Sequence, residues 1–123
     1  MPILNFQKQF AEAVRDGTKR QTIRSPRKYP IKKGDKLYLY TGLRTKNAEK
    51  IMEVECKSVK RVDLCGCGHR VVLQYNITEE EVVIKGRGLH AFAQKDGFSD
   101  WGEMWMWFTN THGLPFRGTL IEW

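Results

Sequence analysis

The sequence predicts a small α+β protein, a β-barrel of five to six strands flanked by two to three helices. Three observations lead there. The chain has 123 residues, which suits one domain over residues 1–123 with one modest core. Short runs of alternating or β-branched apolar residues recur between glycine-containing turns. Two longer stretches, one near each end, place apolar residues at helical spacing.

Phe6, Phe10, Ala13 and Val14 fall at i, i+4, i+7 and i+8, so a helix is expected over Asn5–Asp16, with Asn5 as its cap and Gly17 as its stop. The basic segment from Thr18 to Lys33 contains Pro26 and Pro30, and no helix fits it. Behind the turn at Gly34-Asp35, Lys36 to Thr41 (KLYLYT) alternates and reads as a strand. Ile51 to Val62 also alternates, with Val59 and Val62 breaking the period, which predicts one strand with a bulge or bend. A turn at Cys65 to Gly68 leads to a strand over Arg70–Tyr75, and the two strands are expected to form a hairpin. Val82-Val83-Ile84 reads as a further short strand, with a capped helical turn after Thr78 as the other reading.

Leu89 to Gln94 has helical propensity and stops at Asp96-Gly97. Ser99 reads as the cap of a last helix ending near Thr111-His112-Gly113, with Trp101, Met104, Trp105 and Phe108 as its core stripe. Trp107 and Met106 fall on the other side, where one of them is free to meet a ligand or partner. Phe116 to Trp123 closes the chain as a strand.

Hydrophobic residues at 41% and charged residues at 28% are ordinary globular values and exclude a disordered or fibrous chain. No charged leader with a long apolar run opens the sequence, and no segment approaches the roughly 18 apolar residues of a membrane span. Three cysteines, two of them one residue apart, do not describe a disulfide framework, so a reducing, cytoplasmic setting is expected. The net charge is +7, but residues 1–61 carry 16 basic and 6 acidic side chains and residues 62–123 carry 5 and 8. Nine of those 16 lie between Arg15 and Lys36. The surplus favours a polyanionic partner and directs attention to that segment.

Within it, Gly17-Thr18-Lys19-Arg20-Gln21-Thr22-Ile23-Arg24 forms a G-x-K-x-x-T-x-R pattern. If residues 21–24 are extended, Thr22 and Arg24 share a side, and Lys19 reaches it from the loop. An ammonium, a hydroxyl and a guanidinium fork at one place can hold a phosphate or polarise a carbonyl.

The loop GTKRQTIR, the Gly34-Asp35 turn before KLYLYTG, the continuation LYTGLRTK, and Asp96-Gly97-Phe98 before an aromatic helix together resemble the ASCH family, small relatives of RNA-binding PUA domains. The LYTGLRTK segment is similar to the form found in ASCH proteins of phages and prophages. The resemblance covers nearly the whole chain and implies a PUA-like barrel with a cleft beside the loop, acting on RNA or a modified nucleoside without a cofactor. Some compact family members hydrolyse the acetyl amide of N4-acetylcytidine with a lysine, a threonine and an acid. Carried over, these are Lys19, Thr22 and Asp96, with Glu103 as the second choice of acid. The family enzyme has glutamate where Asp96 stands. Arg20, Arg24, Tyr40, Arg44 and Lys46 are the expected substrate- or phosphate-binding residues.

In that chemistry the Thr22 hydroxyl needs a neighbouring base. Lys19 serves only if burial or the cationic neighbours Arg20 and Arg24 depress its pKa toward neutrality. Asp96 would shuttle a proton or position water, and Arg24 would stabilise the oxyanion. A non-catalytic RNA-binding module is the alternative, with the basic surface on phosphates and Tyr29, Tyr38 or Tyr40 on bases. A metal-independent ribonuclease using Lys19 and Arg24 is a third. Cys65, Cys67 and His69, with Cys56 nearby, also offer zinc-ligand chemistry, although C-x-C-x-H at a glycine-rich turn reads more simply as a tight hairpin, and no metal is expected. His90 and His112 read as packing or capping residues.

Overall fold

The computed structural model describes residues 2–25, 27–64, 70–75 and 81–123. The element order is β1 (Ile3–Phe6), α1 (Lys8–Asp16), β2 (Gln21–Arg24), β3 (Lys36–Thr41), β4 (Glu49–Glu55), β5 (Ser58–Leu64), β6 (Arg70–Tyr75), β7 (Glu81–Lys85), α2 (Gly88–Lys95), α3 (Trp101–Thr111) and β8 (Phe116–Glu122). The protein is α+β, as expected, but its eight strands form two open sheets, ordered β1-β3-β4 and β2-β8-β5-β6-β7, in place of one closed barrel of five to six. No helix among the described residues is long and apolar enough to cross a membrane.

The two additional strands have identifiable causes. Leu4 and Phe6 are buried while Ile3 and Asn5 are exposed, so the chain starts as a strand, and β1 pairs in parallel with β3 from Ile3↔Tyr38 to Phe6↔Thr41. Helix α1 therefore begins at Lys8 and not at Asn5, behind Gln7, whose side chain makes no capping bond. Gly17 ends it as expected, at φ +85°, with its N–H on the Val14 carbonyl. The Ile51–Val62 stretch is two strands, because the chain changes sheets at Cys56-Lys57. The Cys56 N–H donates to the Asp35 carbonyl at 2.8 Å, and the Lys57 N–H donates to the Glu122 carbonyl at 2.8 Å. The broken alternation marks that crossing and not a bulge. The expected hairpin holds for β5 and β6, whereas β4 pairs with β3.

The remaining expectations fall close to the observed bounds. Val82 to Ile84 belong to β7, the alternative helical turn after Thr78 lying outside the described residues. Helix α3 is capped by Asp100, not Ser99: the Asp100 side chain accepts from the Glu103 N–H at 2.8 Å. On α3, Met104 and Phe108 are fully buried, Trp101 and Trp105 are half-buried, and Met106 is exposed. Trp107 packs against the core edge.

Both sheets share one apolar core. Leu37 and Leu39 of β3 meet Val62, Val71 and Leu120 of the larger sheet, with Val14, Phe92, Met104 and Phe108 closing it from the helices. β2 lies against β8 so closely that a Cβ on Gly118 would stand 2.6 Å from the Arg24 carbonyl oxygen. Glycine is required there, and it fixes β2 at the edge of the sheet, beside α1 and α2.

Candidate active site

The loop after α1 is docked onto the end of α2 by main-chain bonds. The Lys19 N–H donates to Ala13 (2.9 Å), the Arg20 N–H to Lys95 (3.1 Å), and the Trp123 N–H to Arg20 (3.0 Å). Beyond it, β2 alternates, so Thr22 and Arg24 share a face as their spacing predicts, and the Arg24 Nε donates to the Thr22 Oγ1 at 3.0 Å. At the far side of the junction Asp96 ends α2, and Gly97 at φ +91° turns the chain toward α3.

These segments line one cavity of about 360 Å³. Lys19, Thr22, Arg24 and Asp96 all border it. Lys19, Thr22 and Asp96 are buried polar residues, the first and last only 3% exposed. The Lys19 Nζ donates to the main-chain carbonyl of Asp96 and lies 3.5 Å from the carboxylate Oδ2. Gln21 supports the other carboxylate oxygen, its Nε2 3.4 Å from Oδ1. The Lys19 ammonium also stands 5.1 Å from the Phe10 ring centre, and the Arg24 guanidinium 4.8 Å from that of Phe6. The Arg24 Nη2 donates to the Asn5 carbonyl at 2.8 Å, which ties β2 to β1.

Burial governs the electrostatics. Loss of water holds the Lys19 amine below the usual lysine range, with Arg24 adding to the effect and Asp96 opposing it. The same desolvation pushes the Asp96 carboxyl up, against Lys19, Gln21 and Arg24. The Arg24 guanidinium is lowered to about 10 by burial and by Arg27, against the pull of Asp96. A lysine and an acid, each pressed toward its neutral form and within reach of one another, are suited to passing a proton. A hydroxyl that accepts a hydrogen bond from a guanidinium is prepared to carry negative charge.

The other expected site residues lie elsewhere. Glu103 is exposed on the first turn of α3 and does not border the cavity. Arg20 turns away, its Nε on the Gly17 carbonyl at 3.1 Å. Tyr40 is half-buried on β3 opposite Asn5, and Arg44 and Lys46 are exposed in the loop after that strand. Cys65, Cys67 and His69 lie outside the described residues. Cys56 is a buried free thiol, and no group of three potential ligands gathers among the described residues.

Trp107 apart, the walls are what the sequence reading missed. Phe6, Phe10, Phe98, Trp107 and His112 surround the charged group, and Trp107 meets Phe10, Phe98 and His112 edge-on or tilted, with ring centres 5.6–5.9 Å apart. The i, i+4 spacing of Trp107 and Thr111 on α3, both bordering the cavity, is the one sequence signal for this wall. His90, by contrast, caps as expected: its Nδ1 accepts the Trp101 N–H at 3.3 Å.

Comparison with protein families, with curated proteins and with solved structures finds no match.

Proposed function

We propose that the protein is an amidohydrolase acting on an N4-acetylated pyrimidine nucleoside or nucleotide, with a PUA-like arrangement of the ASCH kind. The observation that carries this reading is the gathering of Lys19, Thr22, Asp96 and Arg24 at one aromatic-walled cavity. Flat rings at the wall suit a nucleobase, whose faces stack on aromatic side chains.

The reaction is acyl transfer. The Thr22 Oγ attacks the acetyl carbonyl carbon while the neutral Lys19 amine takes the hydroxyl proton. Arg24, already on Oγ1, offsets the negative charge that develops beside it. The C–N bond breaks as the proton passes from Lys19 to the exocyclic nitrogen, leaving the free pyrimidine amine and an acetyl ester on Thr22. Lys19, neutral again, then deprotonates a water, which attacks that ester; the ester C–O bond breaks as Lys19 passes this proton to the Thr22 Oγ, restoring the hydroxyl and releasing acetic acid, which ionises to acetate in solution. Asp96 holds Lys19 in place through both half-reactions and steadies the ammonium each time it forms.

Incubation with N4-acetylcytidine, followed by chromatography for cytidine and acetate, tests the reading. Turnover by the native protein and none by Thr22→Ala or Lys19→Ala is expected. Absence of turnover in the native protein on both the nucleoside and its monophosphates overturns it.

A second reading, RNA binding without chemistry or with metal-independent strand cleavage, is favoured by one observation: Arg27, Lys28, Lys32 and Lys33 are exposed along the segment after β2, with Tyr29 80% exposed among them. RNA binding on that face would weaken steeply with salt, whereas turnover of a free nucleoside would not.

A further inference from the structure

The charges around the cavity do not balance. Asp96 answers Lys19, but among the described residues neither Arg24 nor Arg27 stands within ion-pair distance of a carboxylate. Arg24 is half-buried; burial disfavours its charge, Asp96 favours it, and Arg27 works against it. A partly desolvated cation facing a second cation is costly unless an anion joins them.

The structure has a place for one. Behind β2 a recess of about 80 Å³ adjoins the cavity, and the two share Arg24 and Ser25 as a common wall. Arg27 and Thr119 complete its polar side, Thr119 standing opposite Arg24 in the β2–β8 register, and Ile31 and Ile121 form its floor. Arg24 uses Nε on Thr22 and Nη2 on Asn5, and among the described residues no hydrogen bond engages Nη1. Two guanidinium groups, which only donate, and two hydroxyls, which can turn their O–H toward an anion, suit a tetrahedral oxyanion. A recess this small admits a single phosphoryl group.

We propose that Arg24, Ser25, Arg27 and Thr119 form a subsite for the phosphate of a nucleotide whose base occupies the aromatic cavity. The phosphate ester is then the preferred substrate over the free nucleoside. The assignment of the base rests on the function proposed above; the anion subsite rests on the recess and its donors. The ester can be the monoester of a free nucleotide or the diester of a chain.

Calorimetric titration of the native protein at fixed ionic strength, with cytidine, 3′-CMP, 5′-CMP, a cytidine-containing dinucleotide and inorganic phosphate, tests this. The better of the two monophosphates, or the dinucleotide, is expected to bind about tenfold or more tighter than cytidine. Arg27→Ala should bring that ratio close to one, and Lys85→Ala, which removes the same charge from an exposed position on β7, should keep it. Dinucleotide above monophosphate assigns the subsite to a chain; the reverse order assigns it to a free nucleotide. Equal affinity for cytidine and every phosphate ester, or a preference that survives Arg27→Ala, overturns the proposal. Arg27-dependent binding of inorganic phosphate by a protein that takes up no cytidine compound keeps the subsite and removes the pyrimidine reading instead.

Discussion

Lys19 is held twice by Asp96: its ammonium donates to that residue's main-chain carbonyl and lies 3.5 Å from its carboxylate. The carbonyl is fixed by the turn at the end of α2, so the position of the amine is set by backbone, and only its charge is set by the acid. Removing either side chain leaves a buried group unanswered. Lys19→Met and Asp96→Leu should each cost about 3–5 kcal/mol, while the double variant should cost clearly less than either. Urea denaturation of the four proteins measures this cycle; additive losses would show that the pair does not interact.

The same burial gives a signed pH dependence. The Asp96 carboxyl is raised above its ordinary 3.8, so between that value and the folded pKa the native state holds the proton more tightly than the unfolded chain. Its contribution is full below 3.8 and is lost as pH rises through the folded pKa. Lys19 is lowered below 10.5, so its contribution is full above 10.5 and is lost as pH falls through the folded pKa. Asp96→Asn cannot titrate there. Its stability, measured by denaturation from pH 3.5 upward in steps of about 0.5, should fall less with rising pH on the acid side than that of the native protein.

Gly97 turns the chain at φ +91°, and a Cβ there would stand 3.0 Å from the Lys19 Cδ. Gly97→Ala therefore combines left-handed strain of about 1–2 kcal/mol with a push on the Lys19 side chain. A lower Tm together with a fall in kcat is expected, the second without direct contact between residue 97 and substrate. A variant that loses stability but keeps kcat would show that Lys19 tolerates the displacement.

Arg24→Lys keeps the charge but not the fork that reaches both the Thr22 Oγ1 and the Asn5 carbonyl. If the guanidinium offsets charge developing at Thr22, kcat on N4-acetylcytidine should fall by about 100-fold. A fall confined to KM would place Arg24 in binding alone.

Much of the site was legible because it lies in local spacing. Period 2 over Gln21–Arg24 puts Thr22 and Arg24 together, and the Gly17 stop places Lys19 on the loop that precedes them. β1 was hidden because Phe6 serves two periods, being buried in the strand while starting the i, i+4 stripe through Phe10. The sheet crossing at Cys56 was hidden because a strand that leaves one sheet for another breaks its alternation just as a bulge does. Of the cavity wall only Trp107 was legible, from its place away from the core stripe of α3. Phe6, Phe10, Phe98 and Trp107 come from β1, α1, the turn after α2, and α3, and only tertiary packing brings their rings together.

The parallel pairing of β1 with β3 closes a loop that contains α1, the Lys19 turn and β2. Such a pairing forms across a long stretch of chain and is slow to assemble. Because Asn5 anchors Arg24 and Phe6 lies under it, the first strand locks the binding geometry as it docks. Occupancy of the cavity and docking of the first strand are thus thermodynamically linked: a ligand at 100 times its Kd should raise the free energy of unfolding by about 2.7 kcal/mol. Amide-hydrogen exchange in Leu4 to Phe6 would report ligand binding from outside the reacting groups.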